Sequence, residues 1–214
     1  LFLRAATKPE GDSQPFTPLF NGKDLTGWKA VAKPQPDGKP GDPSATWSVA
    51  DGVLKCTGKP NGYLATEKKY GDYVLKLQYR FTGDAKTPNS GVLVHITGGD
   101  RYWPHSIEAQ MKDGSAGDIY LNADEGGKLP TIDIPALQFD TADVNKRHYF
   151  RLDKDRPIEK ARGEWNEYEI TCKGGEITLV VNGKKANEGT KCSLTRGRIG
   201  LQSEGAPVEF KEIT

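Results

Sequence analysis

A chain of 214 residues with a formal net charge of +1, its lysines interspersed among acidic residues, presents no basic stripe for a phosphate backbone; nucleic acid is not an expected partner. No stretch approaches the roughly 18 consecutive apolar residues of a membrane-spanning helix. With 25 glycines, 14 prolines and a single methionine, the composition favours many short strands joined by turns, and the length suits one β domain with its own core.

Residues 1–15 read as a leader remnant or flexible tether ahead of one domain over residues 16–214. Phe16 to Trp28 begins apolar and passes into turn chemistry at Asn21-Gly22 and Thr26-Gly27, and Lys33 to Ser44, rich in Pro, Gly and Asp, is a loop. Trp47-Ser48-Val49 and Val53 to Cys56, split by Asp51-Gly52, form a hairpin signal. Tyr73 to Phe81 alternates polar and apolar side chains, the pattern of a strand with one face in a core. Strands follow at Gly91 to Ile96, Ser106 to Met111 and Gly117 to Leu121. Asn122 to Arg162 is irregular, with possible strands at Thr131 to Ile134 and His148 to Leu152, and reads as a long excursion over one edge. Trp165 to Cys172, Ile177 to Val181, Arg198 to Gln202 and Val208 to Ile213 complete the set. The fold class is all-β: a concanavalin-like jelly-roll sandwich of two antiparallel sheets, expected to hold a carbohydrate on its concave sheet. Cys56, Cys172 and Cys192 carry no metal-binding spacing; they read as buried thiols, with a Cys172–Cys192 disulfide as the competing reading.

Residues two apart on a strand share a face. Ile107, Ala109 and Met111 belong to the core, which leaves Ser106, Glu108 and Gln110 facing outward or into a groove. Glu108 and Gln110 then stand roughly 7 Å apart along the strand, a spacing suited to gripping sugar hydroxyls. The same alternation assigns Val92, Val94 and Ile96 to the core and His95 to the face of Glu108, where its near-neutral pKa suits proton transfer. Asp113 either joins the site or starts the turn at Gly114. Trp103, in the loop before Glu108, is a candidate plate for a pyranose ring. The E-x-D-x-(x)-E run of laminarinase-like glycosidases is absent, as are a G-x-S-x-G elbow, a P-loop and H-E-x-x-H. Direct two-carboxylate displacement at C1 is therefore disfavoured.

Over roughly residues 16–213 the chain resembles the 3-keto-disaccharide hydrolase family. The resemblance rests on Leu19 to Trp28 (LFNGKDLTGW), Asn89 to Val92, Ile107 to Asp113 (IEAQMKD), Gly117 to Tyr120, Gly163 to Asn166, Val181-Asn182-Gly183 and Gly197 to Gln202 (GRIGLQ). It implies an exported bacterial enzyme, periplasmic, secreted or surface-anchored, acting on an oligosaccharide or 3-keto sugar by C2 proton abstraction, elimination and hydration. Glu108, Gln110 and Asp113 match the family's E-x-Q-x-x-D strand and Tyr120 its G-x-x-Y, whereas Glu204 stands where members often carry histidine. The expected roles are Glu108, His95 and Glu204 in catalysis, with Gln110, Asp113, Tyr120, Gln202 and Trp103 binding substrate. No metal or cofactor is predicted, although oxygen ligation of a divalent cation by Glu108 and Asp113 is chemically open. A non-catalytic carbohydrate-binding module is the alternative; a deep pocket with Glu108 desolvated favours the enzyme, a shallow aromatic platform the module.

Overall fold

The computed structural model describes residues 15–136, 138–139 and 143–214, so the stretch read as a leader or tether lies outside the described residues except for Pro15. In chain order the strands are β1 (Trp28–Ala32), β2 (Trp47–Ala50), β3 (Val53–Cys56), β4 (Gly62–Thr66), β5 (Tyr73–Phe81), β6 (Gly91–Thr97), β7 (His105–Gln110) and β8 (Ile119–Asn122). They continue with β9 (Gln138–Phe139), β10 (Lys146–Tyr149), β11 (Asn166–Lys173), β12 (Glu176–Val181), β13 (Lys184–Gly189), β14 (Arg198–Ser203) and β15 (Val208–Lys211). No helix occurs among the described residues. The front sheet has eight strands in the order β1-β4-β14-β6-β7-β8-β10-β9, and the back sheet seven, β13-β12-β11-β5-β15-β3-β2.

Tight turns set the register. Asp51 and Gly52 have φ of 55° and 75°, and Asn182 and Gly183 49° and 74°, the left-handed pair that a two-residue hairpin with matching twist demands. The flanking pairs, Ala50 with Val53 and Val181 with Lys184, close directly on those turns. Between the sheets lies one apolar core. Val92, Val94, Ile107, Ala109, Ile119, Leu121, Ile199 and Leu201 enter it from the front, and Leu75, Leu77, Tyr79, Tyr168, Ile170, Leu179 and Phe210 from the back. All three cysteines are buried free thiols, so the Cys172–Cys192 disulfide is not formed.

The irregular stretch is organised by one cation. Arg151 is buried, and its guanidinium donates to the carbonyls of Gly114, Ala116, Asp153, Lys154 and Arg156. Its backbone N–H donates to Asp118 Oδ1 at 2.8 Å. Arg151→Met would strip these carbonyls of their donor while filling similar volume. Because each buried group left unsatisfied costs about 1–3 kcal/mol before water or local rearrangement relieves it, a loss of roughly 3 kcal/mol is expected by urea denaturation.

Candidate active site

The site grows from the alternation of β7. Ile107 and Ala109 point inward, so Ser106, Glu108 and Gln110 point out of the front sheet, as the sequence predicts. Cross-strand pairing puts Tyr120 opposite Glu108 and Asn122 opposite Ser106, and on β10 His148 opposite Tyr120 and Lys146 opposite Asn122. On the other side, Leu201 pairs with Val92 and points into the core, so its neighbour Gln202 shares the outer face with Gly91. A residue on the outside of a sheet is ordinarily wet. Here Glu108 is 2 % exposed, and Gln202 and Tyr63 are 0 % exposed, because connecting segments fold over them.

Glu108 lies against its neighbours from several strands. Asn122 Nδ2 donates to Oε2 at 3.2 Å, and Gln110 Nε2 reaches Oε1 at 3.4 Å. Gly91 leaves room for the carboxylate: a Cβ there would come within 3.0 Å of Oε1 and 3.3 Å of Gln202 Oε1. Gln202 leans close enough to favour the charged carboxylate, yet neither of its amide atoms has a full hydrogen-bond partner among the described residues. The buried Tyr63 hydroxyl, Asn122 Oδ1 and Asn89 Oδ1 are likewise unpartnered among the described residues. Such buried polar atoms are costly unless something satisfies them. Asn122 and Gln202 lie against Glu108 and Asn89 against Glu204, whereas the Tyr63 hydroxyl faces Arg198 and Asp100; the first three mark a candidate binding site around the two carboxylates.

A second carboxylate completes it. Glu204 follows Gln202 by two residues, and Asn89 precedes Gly91 by two; Asn89 Nδ2 donates to Glu204 Oε2 at 2.7 Å. Burial pushes the Glu204 carboxyl up to about 7, with the charge of Glu108 adding to the rise and Lys146 and Lys112 opposing it. Burial also raises Glu108, but Lys146, the amides of Asn122 and Gln202, and His148 all favour its ionised form. Burial thus raises both carboxyls, and Glu204 keeps its proton toward neutral pH. Neighbouring Tyr120 is pushed up to about 12 by burial and the nearby carboxylates, Glu108 foremost. Its ring stacks on His148 at 4.2 Å, and His148 Nε2 lies 2.7 Å from Asp118 Oδ2. The opposite wall is the Tyr102–Trp103 pair, with ring centroids 4.8 Å apart and Lys146 Nζ 4.1 Å over Trp103.

Three expectations are corrected. His95 does not share the face of Glu108: β6 bulges between Val94 and Thr97, His95 takes φ of 53°, and the alternation flips. Its ring turns to the back sheet, 4 % exposed and edge-on to Tyr73, with Nδ1 2.8 Å from Leu194 O and Nε2 3.1 Å from Gly71 O. Ile96, assigned to the main core, instead joins Tyr63, Ala65 and Leu93 in a small apolar cluster on the front side. Asp113 is exposed and paired with Arg162 at 2.7 Å, while Arg162 is itself tied to Ala85 O; a shared Glu108–Asp113 cation site is not assembled. No group of three or more potential metal ligands occurs among the described residues. Gln110 is a strut more than a free ligand, because its Oε1 already accepts the N–H groups of Met111 and Lys112. Lys146, His148, Asn122 and Asn89 are not candidates from the sequence, and the alternation that sets Lys146 opposite Asn122 and His148 opposite Tyr120 is the available signal for two of them.

The fold is one that carbohydrate-active proteins share. A provisionally assigned glycosyl hydrolase of Parabacteroides distasonis is similar at 25% identity, with 92% of this chain and 91% of that one covered and a TM-score of 0.60. The carbohydrate-binding module CBM66 of Bacillus subtilis (9% identity, 88% and 94% covered, TM-score 0.58) shares the fold, as does the β-glucanase of Bacillus licheniformis (13%, 89% and 91%, 0.54). No curated protein matches the sequence. Residues 15–214 match the 3-keto-alpha-glucoside-1,2-lyase-like domain, and the chain belongs to that family.

Proposed function

We propose that this chain is an enzyme that cleaves 3-keto-glucosides by elimination and rehydration, and the observation that carries the reading is the buried Glu108, held by Asn122 and Gln110 on the outer face of the front sheet, with Glu204 close enough to feel its charge and holding a proton up to about pH 7. A ketone at C3 acidifies the C2 proton, so Glu108 takes that proton and the electron pair forms an enolate. Gln202 Nε2, a buried donor without a full partner among the described residues and close enough to Glu108 to favour its charge, is suited to hold the enolate oxygen. Collapse of the enolate forms the C1–C2 double bond and breaks the C1–O bond, while Glu204 gives its proton to the departing oxygen. The Glu204 carboxylate then deprotonates a water that adds to C1, and Glu108 returns the proton to C2, for net hydrolysis.

The test is incubation of methyl 3-keto-α-glucoside with the protein in D2O, followed by NMR. Methanol release with deuterium at C2 of the 3-keto-glucose is expected. Methanol release with hydrogen retained at C2 and no slowing for substrate deuterated at C2 would exclude elimination, because a shielded Glu108 can return the same proton, and binding without consumption would leave a carbohydrate-binding module. In the same assay Gly91→Ala should lower kcat/KM by roughly 10-fold or more, because its Cβ displaces Oε1 of Glu108 by tenths of an ångström while the fold has a flexible side chain to yield. The melting temperature should stay near wild type.

A further inference from the structure

Proton abstraction by a buried carboxylate calls for a cation, and the steps above name none. Glu108 meets Gln110 on its own strand, Tyr120 and Asn122 on β8, Gln202 and Glu204 on β14, and Lys146 and His148 on β10. His148 commits Nε2 to Asp118 Oδ2 at 2.7 Å, and its ring lies flat on Tyr120 at an interplanar angle of 6°. Whatever positive charge it carries is answered there by Asp118. Lys112, exposed beyond the end of β7, bears on Glu204. Among the described residues Lys146 bears on both carboxylates.

Lys146 is placed from below and from above. Below, it pairs across the strands with Asn122, whose Nδ2 donates to Glu108 Oε2 at 3.2 Å. Above, its Nζ sits 4.1 Å from the centroid of the Trp103 ring. That ring is itself fixed: it packs on Tyr102 with centroids 4.8 Å apart, in a loop where Asp100 holds Lys29 at 2.6 Å and Arg198 at 2.7 Å. A half-buried lysine on a free stem would carry its head out into water. Held over an indole face, the ammonium sheds hydration on that side and keeps N–H groups for a ligand arriving on the other.

Removal of the C2 proton moves one negative charge without changing its amount. Glu108 starts as the carboxylate and ends as the acid, while the C2–H electron pair becomes the C2–C3 double bond of an enolate charged on O3. A neutral amide such as Gln202 meets that oxygen with a hydrogen bond. A cation meets the charge itself, and is worth most where water is excluded.

We propose that Lys146 is the electrophilic catalyst of this site, its ammonium donating to O3 of the bound 3-keto sugar together with Gln202, and that Trp103 is a positioning residue acting through Lys146. The assignment rests on the elimination reading given above. O3 gains its charge only on the way to the enolate, so the loss belongs in kcat. Lys146→Met should lower kcat on methyl 3-keto-α-glucoside by roughly 100-fold, the scale for removing one oxyanion donor, with KM held within about threefold. Lys146→Arg keeps the charge and the ring contact and should restore at least about a tenth of wild-type turnover. A loss confined to KM, or a kcat within about twofold of wild type in Lys146→Met, overturns the proposal. Trp103→Leu should lose roughly tenfold, and adding it to Lys146→Met should cost about twofold or less; losses that multiply in full overturn the positioning role. Reductive trapping reads placement without turnover. Glu108→Gln protein is mixed with methyl 3-keto-α-glucoside and sodium cyanoborohydride at about pH 8, where an amine beside the ketone condenses with loss of water and hydride fixes the C=N bond. Peptide mapping should find the sugar on Lys146 ahead of exposed Lys112, and label on exposed lysines alone overturns the placement. If wild-type protein consumes no 3-keto substrate while Lys146 is labelled, the elimination reading fails and the contact of Lys146 with the ketone stands.

Discussion

Glu108→Gln lowers kcat/KM for methyl 3-keto-α-glucoside by roughly 10³-fold, the usual scale for removing a positioned general base. The substitution is nearly isosteric, so Asn122 and Gln110 keep a neighbour of the same shape and the carboxylate alone is lost. Burial of Glu108 makes the loss informative, because a solvent-exposed acid could be replaced by water or buffer. Deuterium incorporation at C2 should vanish together with turnover. Persistent exchange in Glu108→Gln would move the base elsewhere, with Glu204 the first candidate. The protein should remain folded, since an amide in this pocket removes a buried charge that desolvation already opposes.

The second large effect is on stability and has an unusual sign. The carboxyl of Glu204 titrates at about 7 in the fold against an ordinary 4.5, so the folded state binds this proton more tightly than the unfolded chain does. Between those values the native state carries the extra proton, and stability falls as pH rises. Below about pH 4.5 both states are protonated and the carboxyl costs nothing. Above pH 7 the full cost applies, about 3 kcal/mol from the span between the two values. Glu204→Gln should therefore be near neutral at pH 4.5 and stabilising by up to about 3 kcal/mol at pH 8, which thermal melts at the two pH values would measure. The substitution should act on activity in the opposite sense, slowing turnover where it stabilises. Wild-type turnover should fall above about pH 7 as the leaving group loses its proton donor, and the variant should be slow at every pH and lack that alkaline limb. Stabilisation that is the same at both pH values would remove Glu204 from the titrating pair. A group that costs stability while supplying chemistry is what a functional site, and not a merely structural one, is expected to hold.

Much of this was legible before any coordinates, and the remainder was hidden for identifiable reasons. The hairpin at Asp51-Gly52 and the inward set of β7 follow from short-range rules that tertiary packing did not override. β4 was missed because all five of its residues are buried, so Gly62 to Thr66 shows no polar alternation to read. β10 was displaced from His148–Leu152 to Lys146–Tyr149, and Thr131–Ile134 yields only a bridge from Asp133 to Thr190. His95 went astray for a deeper reason: a single bulge reverses the facing of every later residue, and nothing in Gly91 to Thr97 announces it. The site followed the same division. Glu108, Gln202 and Tyr120 stand on regular strands, whose alternation makes them readable as candidates, whereas Lys146 and His148 come from the irregular stretch.

The loop carrying Tyr102 and Trp103 is also the direct connection between β6 and β7, the strands that bear Gly91 and Glu108. Floor and roof are thus two parts of one hairpin. Change in its tip can lengthen, shorten or restyle the aromatic wall while the paired strands keep the carboxylate in register, because their ladder from Gly91–Gln110 to Val94–Ile107 closes independently of the tip. Descendants of such a hairpin can exchange one sugar for another without rebuilding the proton chemistry beneath. Sequence divergence among relatives should accordingly concentrate between Gly98 and Pro104 and thin out toward Glu108.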